Sequence, residues 1–167
     1  MKLFTLRDLY IDQLKDLFDA ERQLVTALPR LEEAASSYDL KSTFGTHLEE
    51  TEEHIERLRR IISRLDERPA GNTCRAMQGL IQEGEDFLGS EDTSPAVLDA
   101  GIIAAAQRVE HFEIASYGAV RAYARILEED EAAELLDETL AEEGRVDKAL
   151  TLVAEKINAE AADPANE

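Results

Sequence analysis

Apolar residues recur at steps of three and four along four long stretches of this 167-residue chain, the period of an amphipathic helix. The first stretch, from about Thr5 to Ser36, carries Tyr10, Leu14, Leu17, Leu24, Leu28, Leu31 and Ala35 on one seam. The second, from Leu40 to just before Pro69, carries Phe44, Leu48, Ile55, Leu58, Ile62 and Leu65. The third opens at Ser94 as N-cap with Pro95 as its first helical residue, and runs through Leu98, Ile102, Ala105, Val109, Phe112, Val120 and Tyr123 to Ile126 or Leu127. The fourth follows a tight break near Glu129 and Asp130 and carries Leu136, Leu140, Leu150, Ala154 and Ile157. Thr5 with Asp8 approximates a capping box at the chain's first helix, and Pro29 is expected to kink that helix.

Only a few residues separate the first helix from the second and the third from the fourth, so each pair should lie antiparallel. Between the pairs, Pro69 to Asn72 reads as a stop and Gly89 to Pro95 as a loop. Cys74 to Leu88 can form a short helix using Met77, Leu80, Ile81 and Phe87, and this middle piece is long enough to cross the length of a bundle. The expected fold is therefore all-α: a ferritin-like four-helix bundle of two antiparallel hairpins, with a short extra helix in the crossover. It should form a single domain over residues 1–160, followed by an acidic frayed tail, 161–167.

Composition narrows the function. Acids outnumber bases 37 to 18, giving a net charge of −19, and a nucleic-acid partner needs the opposite footprint. No segment approaches the ~20 apolar residues of a membrane span, and the N-terminal residues carry no long apolar run of the signal-peptide kind. A cytoplasmic protein is expected. Cys74 is the lone cysteine, so neither an internal disulfide nor a cysteine zinc site is available, and the thiol reads as a small buried apolar group.

Most of the acid belongs on solvated helix faces, but some of it falls where the period assigns the core. At ~100° per residue, Glu143 and Asp147 sit on the centre line of the fourth helix, between Leu140 and Leu150. Glu21 lies between Leu17 and Leu24 on the first. On the third, Glu113 lies inside the apolar arc and Glu110 on its flank with Ala106 and Tyr117. On the second, Thr51 takes the centre, His47 and His54 lie just off it, Glu50 lies at the edge, and Glu53 points away. Counted out from the two tight turns, all these residues fall near the middle of the bundle. Several buried carboxylates repel one another and lose hydration, and no Lys or Arg stands on those seams at that level. A pair of divalent cations is the expected compensation: di-iron and di-manganese bundles take a Glu from each of two helices and a Glu-x-x-His pair from each of the others. Carboxylate with imidazole suits iron or manganese. The spacing departs from that pattern, because Glu50 to His54 and Glu143 to Asp147 are four apart, while His47 and Glu50 are three apart in reversed order.

The stretches Tyr10 to Glu21, Ala27-Leu28-Pro29, His47 to Thr51, Ala105 to Gly118 and Thr139 to Glu143 resemble the YciE/YciF-like ferritin-like family. The resemblance spans nearly the whole chain. It implies a stress-associated bacterial or archaeal bundle that forms a homodimer, with no established reaction. It also implies that Glu21, His47, Glu50, Glu110, Glu113, Glu143 and Asp147 make up an acidic inner cluster, with His54 ranked after Glu50.

Two functions follow as expectations. The first is a metal-binding protein with a dinuclear Fe or Mn site, whose natural chemistry is oxidation of ferrous ion or disposal of peroxide. The second is a metal-free structural or interaction bundle acting as a dimeric stress protein. A storage cage is a weaker third, since no fifth helix is recognisable after the fourth.

Overall fold

The structure, a computed structural model, describes residues 3–70, 73–89 and 92–163. It contains five helices: α1 (Leu6–Ala34), α2 (Tyr38–Arg64), α3 (Arg75–Leu88), α4 (Pro95–Ile126) and α5 (Asp130–Ala161). The capping box expected at the start of α1 is present, with the Thr5 hydroxyl accepting from Asp8 N at 3.1 Å and Asp8 Oδ2 accepting from Thr5 N at 2.9 Å. α1 continues through Pro29 to Ala34. Pro95 opens α4 after Ser94, whose side chain makes no capping hydrogen bond. The turns expected at Pro69–Asn72 and Gly89–Pro95 fall partly on residues 71, 72, 90 and 91, outside the described residues, as does most of the 161–167 tail.

α1 and α2 form one hairpin and α4 and α5 the other, with α3 packed on α4 and α1 in the crossover between them. Asp99, near the start of α4, accepts from Ser36 N and Ser37 N at 2.8 Å each, and Lys156 of α5 lies 3.7 Å from Asp39 of α2. These contacts put the α1–α2 link, the start of α4 and the end of α5 at the same end. At the opposite end Arg7 pairs with Glu129, and Arg60 and Arg64 pair with Glu131. α2 and α4 therefore run in the same direction, and the chain must travel the length of the bundle between them. That is the ferritin-like connection. α3 seats closely because Gly101 on α4 leaves room for the Phe87 ring: a Cβ at Gly101 would come within 2.7 Å of it.

The apolar interior is in two halves. One gathers Leu24, Leu28, Leu40, Phe44, Met77, Ile102 and Leu150, and the other Tyr10, Leu14, Leu17, Leu58, Ile62, Val120 and Leu136. Between them runs a belt of buried polar side chains drawn from all four long helices.

Candidate metal centre

Glu21 of α1, His47, Thr51 and His54 of α2, Glu110 and Glu113 of α4, and Thr139 and Glu143 of α5 form this belt, none of them more than 2% exposed. Each lies on the buried stripe of its helix, in line with Leu17 and Leu24 on α1, Phe44 and Leu58 on α2, Val109 and Tyr117 on α4, and Leu136 and Val146 on α5. One donor atom from each of His47, Glu110, Glu113 and Glu143 lies within 4.8 Å of the others, and Glu21, His54 and Glu143 form a second such group. Glu143 belongs to both.

The donors are poorly used by the protein itself. Glu21 Oε2, Glu110 Oε2, both oxygens of Glu113 and of Glu143, both nitrogens of His47 and Nδ1 of His54 are buried without a hydrogen-bond partner. His54 Nδ1 is 3.0 Å from Glu143 Oε1 and 3.5 Å from Glu21 Oε1, and His47 Nε2 is 3.2 Å from Glu110 Oε1, close enough for attraction but without hydrogen-bond alignment. Among the described residues no Lys or Arg pairs with these carboxylates. So many orphaned donors are costly to bury, and native interiors hold few of them. Tyr117 does donate its hydroxyl to Glu21 Oε1, and Thr51 donates to the His47 carbonyl at 2.8 Å.

The electrostatics follow from burial and crowding. Burial pushes the carboxyl of Glu113 well above its ordinary range, helped by Glu143, Glu21 and Glu110. Burial likewise raises Glu143 to about 7, against the pull of His54. Burial alone would depress the imidazoles, but Glu110 outweighs it at His47, raised to about 9, and Glu143 and Glu21 outweigh it at His54, raised to about 11. The Tyr117 hydroxyl is held far above the usual phenol range by burial and by Glu21.

Of the eight candidate residues named from sequence, the structure brings together Glu21, His47, His54, Glu110, Glu113 and Glu143. Glu50 and Asp147 stand apart. Glu50 is 23% exposed and 3.4 Å from Arg145, and Asp147, also 23% exposed, accepts from Gln107 and lies 3.2 Å from His111. The inward line of α2 runs through His47, Thr51, His54 and Leu58, which leaves Glu50 one position before it, and that of α5 runs through Thr139, Glu143, Val146 and Leu150, which leaves Asp147 one position past it. Burial thus reverses the order the resemblance implied for Glu50 and His54. His111 itself is at the surface, 69% exposed.

Sequence reasoning passed over Glu142. Its carboxylate lies 2.9 Å from His54 Nε2 and accepts two hydrogen bonds from Arg57, one of them at 3.1 Å. The signal available was Arg57, three residues after His54 on α2, an otherwise unexplained base beside the seam. Cys74 is buried as expected, and burial raises its thiol to about 12, far from a reactive thiolate.

Four long helices, a crossover helix and a mid-core belt of carboxylates and imidazoles define a ferritin-like protein. The chain belongs to the DUF892 family, a domain of unknown function, whose profile matches residues 5–163. Protein YciF of Escherichia coli (strain K12) is 41% identical over 167 residues, covering 99% of this chain and 100% of that protein. The crystal structure of the E. coli stress protein YciF matches at a TM-score of 0.90 and 40% identity, over 94% of this chain and 99% of that one. YcfI of Rhodopseudomonas palustris matches at 0.86 and 40% identity, over 90% and 95%. A two-domain Anabaena variabilis protein with DJ-1/ThiJ/PfpI-like and ferritin-like domains matches at 0.66 and 20% identity, over 96% of this chain and 40% of that one, a likeness of fold alone.

Proposed function

We propose that this protein binds a pair of divalent metal ions, iron or manganese, in the belt between its four long helices, and that it does so in a stress response. The observation that carries this reading is the set of buried donor atoms on Glu21, His47, His54, Glu110, Glu113 and Glu143 left without hydrogen-bond partners. Charge supports it as well: the four glutamates balance the charge of about two divalent cations, and a set of four carboxylates and two imidazoles is the complement that di-metal bundles use. Here the complement is redistributed. Thr51 and Val146 stand where two Glu-x-x-His pairs would supply a Glu and a His, and His47 and Glu110 make up the difference.

His47, Glu110 and Glu113 would hold one ion, Glu21 and His54 the other, and Glu143 would be shared, since it belongs to both groups. When bound, iron or manganese supplies one-electron redox chemistry toward dioxygen or peroxide. The chain's own part is to bind and to exclude water. Tyr117 holds one oxygen of Glu21, and the two apolar halves of the core keep solvent from either end of the belt. The stress association draws on the relative's description as an E. coli stress protein, the family resemblance adds a homodimer, and the cytoplasmic location is the expectation read from the sequence.

A metal-free bundle is the second reading. Raised imidazoles at His47 and His54 beside raised carboxyls at Glu113 and Glu143 let protons stand in for metal charge. Elemental analysis of protein purified without chelators separates the two. About two Fe or Mn per chain, lost in Glu21→Ala/Glu143→Ala, supports the metal centre. No metal, and none taken up from anaerobic ferrous or manganous solution, leaves the metal-free bundle.

A further inference from the structure

We infer that Glu142 is a positioning residue that fixes which nitrogen of His54 meets a metal ion, an inference that rests on the metal reading above. An imidazole can ligate only through a nitrogen that carries no proton, so whatever holds the proton on one nitrogen selects the other as donor. His54 is placed for such control. Its Nε2 lies 2.9 Å from Glu142 Oε2, and an ionised carboxylate can only accept, so Nε2 keeps its hydrogen. Nδ1 is then the nitrogen offered to the belt, beside Glu143 Oε1 and Glu21 Oε1.

Glu142 is itself held. Arg57 donates Nη1 to Oε2 and Nη2 to Oε1 in the two-pronged geometry that fixes a carboxylate in orientation as well as position, and Arg57 Nη1 also reaches Thr139 Oγ1 at 3.1 Å. A chain of contacts thus runs from the rim of the bundle to the belt: Arg57, Glu142, His54, then Glu21 and Glu143. His47 has nothing comparable, because neither of its ring nitrogens has a hydrogen-bond partner. The two imidazoles are equally buried but unequally oriented, and the two groups of donors differ accordingly. The group containing His54 is set in advance, while the group containing His47 is arranged by whatever it binds.

The test is a Co2+ titration followed by visible absorption, with nitrogen-15 NMR of the histidine rings in the Zn2+-loaded protein, for wild type, Glu142→Ala and Glu142→Gln. Glu142→Ala should weaken one of the two Co2+ equivalents by roughly 10–100-fold and spare the other. Glu142→Gln, which keeps an oxygen acceptor, should recover most of that loss. In Zn2+-loaded wild type, His54 should be protonated on Nε2 and ligated through Nδ1. Arg57 retains Glu53 at 3.5 Å and Glu138 at 3.8 Å when Glu142 is removed, and circular dichroism checks that the variants stay helical. Two equivalents unchanged in folded Glu142→Ala, or His54 ligated through Nε2, would overturn the assignment and leave the metal centre standing. Wild type that binds neither Co2+ nor Zn2+ would overturn both. If Glu142→Ala loses its helical signal, Glu142→Gln and the wild-type NMR decide, and ligation through Nε2 counts against the assignment.

Discussion

Tyr117 on α4 donates its hydroxyl to Glu21 on α1 across the middle of the bundle, and both side chains are completely buried. Removing that hydroxyl takes away the hydrogen bond to Glu21 Oε1 and leaves it 3.5 Å from His54 Nδ1. Tyr117→Phe is expected to destabilise the metal-free protein by about 1–3 kcal/mol, the cost of stranding a buried acceptor. Urea unfolding should show a lower midpoint at an unchanged slope. An unchanged midpoint would mean that the hydroxyl contributes nothing to holding Glu21.

Acidity should stabilise the metal-free form. The folded values for His47 and His54, about 9 and about 11, lie above the ordinary 6.5, so their stabilisation is complete below 6.5 and is lost as pH rises through 9 and then 11. Glu143, raised to about 7, and Glu113, raised well above 4.5, keep protons that the unfolded chain has released, so stability also falls between 4.5 and 7. These four shifts point the same way, while Glu142, lowered by Arg57 and His54 against its burial, gives the opposite slope at more acidic pH. The melting temperature of metal-free protein should therefore decline from about pH 5 to about pH 10. Saturating Mn2+ should flatten or reverse that slope, because binding displaces the protons. A metal-free profile that rises across this range would contradict the electrostatics of the belt.

Asp99 ties the two hairpins together at one end, accepting from Ser36 N and Ser37 N at 2.8 Å each while only 2% exposed. Asp99→Ala should cost about 1.5–3 kcal/mol, as expected for hydrogen bonds to a charged group. Amide exchange at Ser36 and Ser37 should accelerate more than at the α2 midpoint. Uniform acceleration along the chain would mean that the link has no local role.

Glu128, in the turn between α4 and α5, has φ 59, the left-handed region where a helix usually ends on glycine. Its neighbour closes the turn, Glu129 N donating to the Ala124 carbonyl at 2.9 Å. Glu128→Gly relieves a strain of about 1–2 kcal/mol and returns part of it as unfolded-chain entropy. The net gain expected is about 0.5–1 kcal/mol, or roughly 1–4 °C in the melting temperature. Asp66 ends α2 with φ 58, but aspartate tolerates that region better, so Asp66→Gly should gain less.

The helices were legible because their causes are local. The seam from Tyr10 to Leu28, the Thr5–Asp8 cap and the Pro95 start each depend on residues within a turn or two of one another, and the structure keeps them all. The belt was legible in part for the same reason: Glu21 and Glu143 sit on centre lines where no glutamate belongs without a partner. Glu50, read at the edge of its stripe, and Asp147, read on its centre line, were misplaced because a stripe read at fixed angle does not show the residues on neighbouring helices, here Arg145 beside Glu50 and Gln107 beside Asp147. Glu142 and Asp99 act through partners far away in sequence, Arg57 and the Ser36–Ser37 backbone, and nothing near them in the chain marks them out. The break near Glu129 was legible, but no residue type marked Asp66 or Glu128 for the left-handed backbone each adopts.

α3 lies over α1 and α4, and no described helix covers α2 and α5 from outside. The belt's hydrogen-bonded link to a partly exposed side chain, His54 to Glu142, emerges on that uncovered side. The bundle thus has a back and a front. Substitutions beneath α3 act on an insulated wall and should be felt as stability, whereas those along the α2–α5 seam act at a threshold and should be felt in how fast the interior exchanges with water.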